Sequence, residues 1–221
     1  MPLDRAPQLA RKARVHIVAL GDVGTTMLIG LLLAGQDVIA SVGMCDINEK
    51  NLARLEMEMN QIRYPFAGQE GCPDPVLPAV TVVGEEDVFD CDVFIFCASK
   101  GVPPVGAGGD VRMVQLEANR SLIAHYAGLA RQAGFGGQVC IVSDPVDPLC
   151  RAFLTESGLH PAQIQGYGLG VMHARACYYA KKNPRFAHYL TEGRAFGPHG
   201  ADLVIADSLE DYDDALSREL T

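Results

Sequence analysis

The run Asp92-Val93-Phe94-Ile95-Phe96-Cys97 is apolar on both faces. A strand with no polar side has to be covered by helices above and below, which is the situation of a central strand in a parallel sheet. The segments around it alternate as such a sheet requires. Val15 to Leu20 is a short apolar run that ends in Gly21, and Thr25 to Ala34 follows with small and apolar residues at helical length. Val38 to Cys45 is a second β-rich run ending at Asp46. Beyond it, Asn48 is placed to cap a helix carrying Leu52, Leu55, Met59 and Ile62 at three- to four-residue spacing. Residues 64 to 78 hold four prolines and read as a loop. Ala79 to Val83 and Gln138 to Val142 read as further strands, Gly101 to Gly109 as a glycine- and proline-rich loop, and Val111 to Ala133 as a long helix. The last of these strands stops at Ser143-Asp144-Pro145-Val146-Asp147-Pro148, where the prolines enforce a turn. Strands alternating with helices predict an α/β fold, a doubly wound parallel sheet of Rossmann type.

Composition narrows the partners. With 221 residues and 48% of them hydrophobic, the chain can bury a core without disulfides or metal clusters. Its seven cysteines form no CxxC pair and mostly sit in apolar runs, so they read as reduced, buried thiols of a cytoplasmic protein. A net charge of -9 argues against nucleic acid or an anionic membrane as the main partner. The apolar stretch Met27 to Ala34 falls far short of the roughly 20 residues a spanning helix needs. The first fourteen residues, with Pro2, Pro7 and the basic residues Arg11, Lys12 and Arg14, read as a loose lead-in.

In a sheet of this kind the first strand-to-helix turn is where a dinucleotide pyrophosphate rests, on backbone N–H groups at a helix N-terminus. Gly21-Asp22-Val23-Gly24 supplies two of the three fingerprint glycines, and Ala19 stands where the first would be. Asp46 lies at the end of the second strand, 22 residues after Gly24. A carboxylate there can accept both ribose hydroxyls and would repel a 2′-phosphate, which points to NAD rather than NADP. The alternative is a packing turn and a surface acid that bind nothing.

Three ordered blocks, Ala19-Leu20-Gly21-Asp22-Val23-Gly24-Thr25, Cys45-Asp46-Ile47-Asn48-Glu49 and Ser143-Asp144-Pro145-Val146-Asp147, resemble the lactate/malate dehydrogenase family. The spacing of Arg112 and Asn119 resembles that family's mobile-loop arginine and following asparagine. Gly166-Tyr167-Gly168 leads into Met172 and Arg175, and Gly197-Pro198-His199-Gly200 resembles the block that carries the family's catalytic histidine. The similarity runs from about Val15 to the C-terminus. It implies a Rossmann NAD domain over residues 15–147 and the first part of an α+β catalytic domain over 148–221, in a sequence that reads as a piece of a longer protein. It further implies cofactor contacts at Gly21, Asp22, Val23, Gly24, Asp46, Ile47, Ala98, Asn119 and Ser143. Arg175 would clamp the substrate carboxylate and His199 would serve as acid/base. Arg112 would polarise the reacting carbonyl. The substrate would be a small 2-hydroxy or 2-oxo acid, and a homo-oligomer is the default state.

The pattern breaks at the chemistry. The family partners its histidine with an aspartate three residues before the carboxylate-binding arginine, and here that position is Met172. His173, next to it, points about 100° round the helix. Asp144 stands where the family has a hydrogen-bond-donating asparagine, and an ionised carboxylate there would repel an anionic substrate. The loop before Arg112 lacks the basic residue that a dicarboxylate would need, unless Lys100 reaches it. The expectation is therefore a dehydrogenase-like protein of weak or altered activity. Two alternatives remain open: a non-catalytic NAD-binding sensor or scaffold, and an enzyme of this fold acting on an uncharged or cationic substrate.

Overall fold

A computed structural model describes residues 11–63, 76–101, 111–200 and 202–221, with 111–113 by their backbone alone. Six strands form one parallel sheet: β1 (Ala13–Val18), β2 (Ile39–Cys45), β3 (Ala79–Val82), β4 (Val93–Phe96), β5 (Gln138–Ile141) and β6 (Ile164–Gly166). Their order across the sheet is β3-β2-β1-β4-β5-β6, so the chain reverses direction of travel between β1 and β4. In open parallel sheets the crevice at that reversal, beyond the carboxyl ends of the strands, is where ligands bind.

The helices α1 (Asp22–Ala34), α2 (Glu49–Met59), α3 (Val111–Gln132) and α4 (Val146–Ser157) cover the two faces. Leu28 and Leu32 of α1 and Leu52, Leu55 and Met59 of α2 pack on Ile17, Val42, Met44 and Ile95. On the other face, α3 and α4 bring Ile123, Ala127, Leu149 and Phe153 against Phe94, Phe96, Val139 and Ile141. The expectation that β4 is covered on both sides is met: Phe94 and Phe96 turn to one core and Ile95 to the other. The strand tolerates the buried His16 of β1 because its Nδ1 lies 2.9 Å from the Val88 carbonyl and the neighbouring Gly43 has no side chain. A Cβ on Gly43 would come within 2.5 Å of the imidazole.

Three boundaries differ from the sequence reading. Helix α1 starts at Asp22 rather than Thr25, because the fingerprint residues themselves make its first turn. The prolines after β5 launch a helix as well as a turn: Pro145 is the N-cap of α4 and Pro148 lies in its first turn, where a missing N–H costs nothing. The sheet does not end at Asp147. Strand β6 adds a sixth member, and its three residues, Ile164-Gln165-Gly166, are too few and too polar to stand out as an apolar run.

After β6 come α5 (Leu169–Ala180), a 3-10 turn over Pro184–Leu190, an antiparallel pair β7 (Arg194–Phe196) and β8 (Val204–Ala206), and α6 (Asp214–Leu220). These have a core of their own, built from Ala176, Ala180, Phe186, Tyr189, Leu203 and Ile205. The six described cysteines are unpaired. Burial pushes the thiols of Cys91 and Cys97 up to about 12 and that of Cys150 to about 11, which keeps them protonated and inert. Among the described residues no helix is long and apolar enough to cross a membrane.

Candidate functional site

The β1–α1 turn is locked from several directions. Ala19 adopts φ of 70°, and a Cβ on Gly24 would meet the Ala19 carbonyl oxygen at 2.0 Å, so Gly24 alone lets the helix start close against the strand end. The next peptide is clamped on both sides. Leu20 N–H donates to Asp46 Oδ2 at 2.6 Å, while the Leu20 carbonyl accepts from Thr25 Oγ1 at 2.9 Å and Asn51 Nδ2 at 3.1 Å. The other oxygen of Asp46 accepts Asn48 N–H at 2.8 Å. Asp46 thus ties the end of β2 to the turn, and its remaining lone pairs are available at a half-buried rim.

Gly21 is the N-cap of α1, and no side chain of the described residues caps the helix. A Cβ at Gly21 would meet nothing within 4 Å among the described residues. A helix N-terminus without a side-chain cap suits a phosphate-bearing ligand, and the residues present fit a dinucleotide. Asp22 and Val23 are exposed beside it, the former adding a negative charge of its own. Ile47, beyond Asp46, is fully exposed.

The opposite rim is built from the ends of β4 and β5. Asn119 is wholly buried, and its carboxamide is engaged within the protein: Oδ1 accepts Lys100 N–H at 2.8 Å and Nδ2 donates to the Asp144 carbonyl at 3.1 Å. Ser143 Oγ donates to the Ala98 carbonyl at 2.8 Å. Ala98, Asn119 and Ser143 therefore form the wall of the crevice, and the Asn119 side chain is not exposed to a ligand in this arrangement. Lys100 Nζ donates to Ser121. Between the rims, a cleft of about 580 Å3 is lined by Asp22, Val23 and Met27 of α1 and by Val142, Gly168 and Val171.

His199 sits at the same rim. It lies in the β7–β8 connection after Gly197, whose φ of 86° and proximity to the Asp202 carbonyl call for glycine. His199 N–H donates to Asp147 Oδ2 at 2.8 Å, and its ring packs on Gly168, where a Cβ would come within 2.7 Å of Cγ. Asp147 was not among the residues the sequence picks out for chemistry, although it belongs to the same five-residue block as Asp144. Asp144 Oδ1 lies 3.4 Å from His199 Nε2, while His199 Nδ1 is buried and has no hydrogen-bond partner among the described residues.

The remaining residues divide. Met172 is half-buried and packs with the apolar core of the second unit. His173 is turned away, with Nδ1 2.9 Å from Tyr189 Oη and Nε2 3.6 Å from Cys177 Sγ, as its angular position predicts. Arg175 is exposed on α5. The side chain of Arg112 lies outside the described residues, although its backbone opens α3.

No family model matches the chain. Curated relatives do: the L-lactate dehydrogenase of Mycoplasma pneumoniae is 24% identical over 195 residues, covering 88% of this chain and 58% of that protein. The L-lactate dehydrogenase of Bacillus velezensis is 25% identical over 190 residues, covering 86% and 56%. A lactate dehydrogenase from a Medee basin deep-sea metagenome library has the same fold, with a TM-score of 0.70 at 21% identity over 92% of this chain and 60% of that one. The chain is similar in sequence to lactate dehydrogenases and shares its fold with lactate and malate dehydrogenases. The malate dehydrogenase of Plasmodium falciparum shares the fold as well, with a TM-score of 0.64 at 17% identity over 87% of this chain. The chain spans a little over half the length of the curated lactate dehydrogenases it matches.

Proposed function

We propose that this lactate/malate dehydrogenase relative is a 2-hydroxy-acid dehydrogenase-like oxidoreductase that uses NAD and a small 2-hydroxy or 2-oxo acid. The observation that carries the reading is the placement of His199, fixed by Asp147 and Gly168 at the same rim of the sheet as the N-terminus of α1. Gly21, Val23 and Gly24 would hold the pyrophosphate on backbone N–H groups. Asp46 would take the ribose hydroxyls and Ile47 would offer an apolar surface beside them. NAD, when bound, supplies the hydride acceptor or donor. His199 would hold or release the proton of the substrate hydroxyl, and Arg175 would take its carboxylate with two parallel N–H donors. Arg112 would polarise the carbonyl. A homo-oligomer in the cytoplasm is part of this proposal.

The test is a fluorescence titration with NADH, alone and with pyruvate present. The reading requires NADH binding that pyruvate strengthens, loss of the pyruvate effect in Arg175→Ala, and weaker, less NAD-selective binding in Asp46→Ala. Absence of NADH binding overturns it. NADH binding that is indifferent to pyruvate and to Arg175→Ala supports the second reading, a non-catalytic NAD-binding sensor or scaffold. What favours that reading is the buried His199 Nδ1, which has no hydrogen-bond partner among the described residues. A preference for an uncharged or cationic carbonyl compound over pyruvate would instead move the substrate class.

A further inference from the structure

We propose that Cys177 is a modification site, at which His173 takes the thiol proton while the sulfur attacks a small disulfide bearing acidic groups. The site is independent of the dehydrogenase reading and of the crevice at the strand ends.

His173 and Cys177 stand one turn apart on α5, so their side chains share a face of the helix. His173 Nε2 lies 3.6 Å from Cys177 Sγ. The other ring nitrogen, Nδ1, lies 2.9 Å from the hydroxyl of Tyr189, a wholly buried residue of the 3-10 turn, so a second element holds the imidazole in place. A nucleophile within reach of a base that a third group orients is the arrangement that activates thiols and hydroxyls. The other described cysteines lack it. The Cys91 thiol faces the Val88 carbonyl and that of Cys140 the Tyr167 hydroxyl. Burial pushes the thiols of Cys45, Cys91, Cys97, Cys140 and Cys150 up. Cys177 is half-buried, and among the described cysteines it is the one with an imidazole within hydrogen-bond reach.

The hydrogens can be followed through the reaction. A tyrosine hydroxyl both donates and accepts, so Tyr189 can partner either tautomer of the ring. In the tautomer with hydrogen on Nδ1, that hydrogen goes to Tyr189 Oη and the Nε2 lone pair faces the thiol. When Nε2 takes the thiol hydrogen, Nδ1–H stays on Tyr189 and no group has to turn. Burial pushes the Tyr189 hydroxyl up to about 12, nearby Cys177 adds to this and Arg194 of β7 opposes it, so the hydroxyl keeps its own proton. His188 of the 3-10 turn is directed to Glu192 instead. The sulfur then attacks one sulfur of the disulfide, a new S–S bond forms and the old one breaks. The departing thiolate takes the proton from Nε2. One thiol and one disulfide give one mixed disulfide and one thiol, and the incoming disulfide is the oxidant. Charge selects among disulfides. Residues 169–182 hold Arg175, Lys181 and Lys182 and no acidic residue, and a cationic surface draws anionic reagents.

The experiment follows the reduced whole chain with oxidised glutathione, using mass-spectrometric peptide mapping to give the rate at each cysteine. At about pH 7.5, Cys177 should gain the glutathionyl group about tenfold faster in the folded chain than in the same chain unfolded in urea, less than the ~10²-fold of a fully formed catalytic base. His173→Gln should lower the folded rate about tenfold at unchanged Tm, and the two rates should converge near about pH 10, where solvent makes thiolate unaided. Tyr189→Phe should lower it by about threefold, the size of one lost hydrogen bond. A folded rate at Cys177 equal to or below the unfolded rate overturns the proposal, and so does an unchanged rate in His173→Gln. If that variant does not fold, an unchanged rate in Tyr189→Phe overturns the role of the imidazole. Modification by the uncharged 2-hydroxyethyl disulfide but not by oxidised glutathione overturns the acidic class of reagent.

Discussion

Ala19 carries a side chain in the left-handed region, at φ of 70°, in the tightest corner of the crevice. An L-residue there is strained by roughly 1–2 kcal/mol, because its Cβ crowds its own carbonyl. Glycine would relieve the strain but would give back part of the gain through a more flexible unfolded chain. Ala19→Gly should therefore stabilise the protein by about 0.5–1 kcal/mol, read as a rise in Tm of about 2 °C. An unchanged or lower Tm would show that the turn is not strained at this residue. The sequence identified the departure from the glycine fingerprint, but only the backbone angle shows what it costs.

At the level of elements, one carboxylate joins the end of β8 to α6, alongside the bonds from Ile205 N–H to Thr221 Oγ1 and from Asp207 N–H to Ser217 Oγ. Asp207 is buried at the end of β8 and accepts Asp213 N–H at 3.0 Å and Ser217 Oγ at 2.8 Å, so it anchors both the cap and the second turn of the helix. Burial pushes its carboxyl up, but these donors and neighbouring backbone N–H groups outweigh burial and hold it below the ordinary 3.8. A depressed carboxyl stabilises the fold above its unfolded value and loses that contribution as pH falls through the folded one. Asp207→Asn should thus lower stability at pH 7, and the gap from the parent should close below about pH 4, as urea unfolding at several pH values would show. A gap that is constant across pH would mean that the carboxylate's charge plays no part. Elements differ sharply in how legible they are in sequence. The long periodic runs of α2 and α3 and the all-apolar β4 are plain, since hydrophobic spacing records burial directly. Strand β6 and the early start of α1 are not, because the former is three residues long and the latter is built from turn residues. The site divides in the same way: Asp46 and His199 are readable from their blocks, whereas the pairing of Asp144 with His199 joins residues 55 positions apart and is visible only in space.

Across the whole molecule, the two sheet cores and the core of the second unit are of different kinds. Ile17, Phe94, Phe96 and Ile141 are enclosed by helices on both faces of a six-stranded sheet, while β7 and β8 form a two-stranded ribbon over a smaller cluster. A two-stranded ribbon has little independent stability. Native-state hydrogen exchange should accordingly protect β1 and β4 amides to near the global unfolding free energy and release β7, β8 and α6 amides at lower free energy. Equal protection throughout would show that the second unit is as firmly held as the sheet. Such an opening would carry His199 away from Asp144 without disturbing the β1–α1 turn, because the histidine comes from the ribbon and the turn from the sheet.

The buried carboxamide of Asn119 bears on how anything enters the crevice. By holding Lys100 N–H with one end and the Asp144 carbonyl with the other, it rivets the lip after β4 to the lip after β5. Those two strand ends are thereby braced into a single wall on one side of the crevice, while the β1–α1 turn on the other side is tied separately, through Asp46.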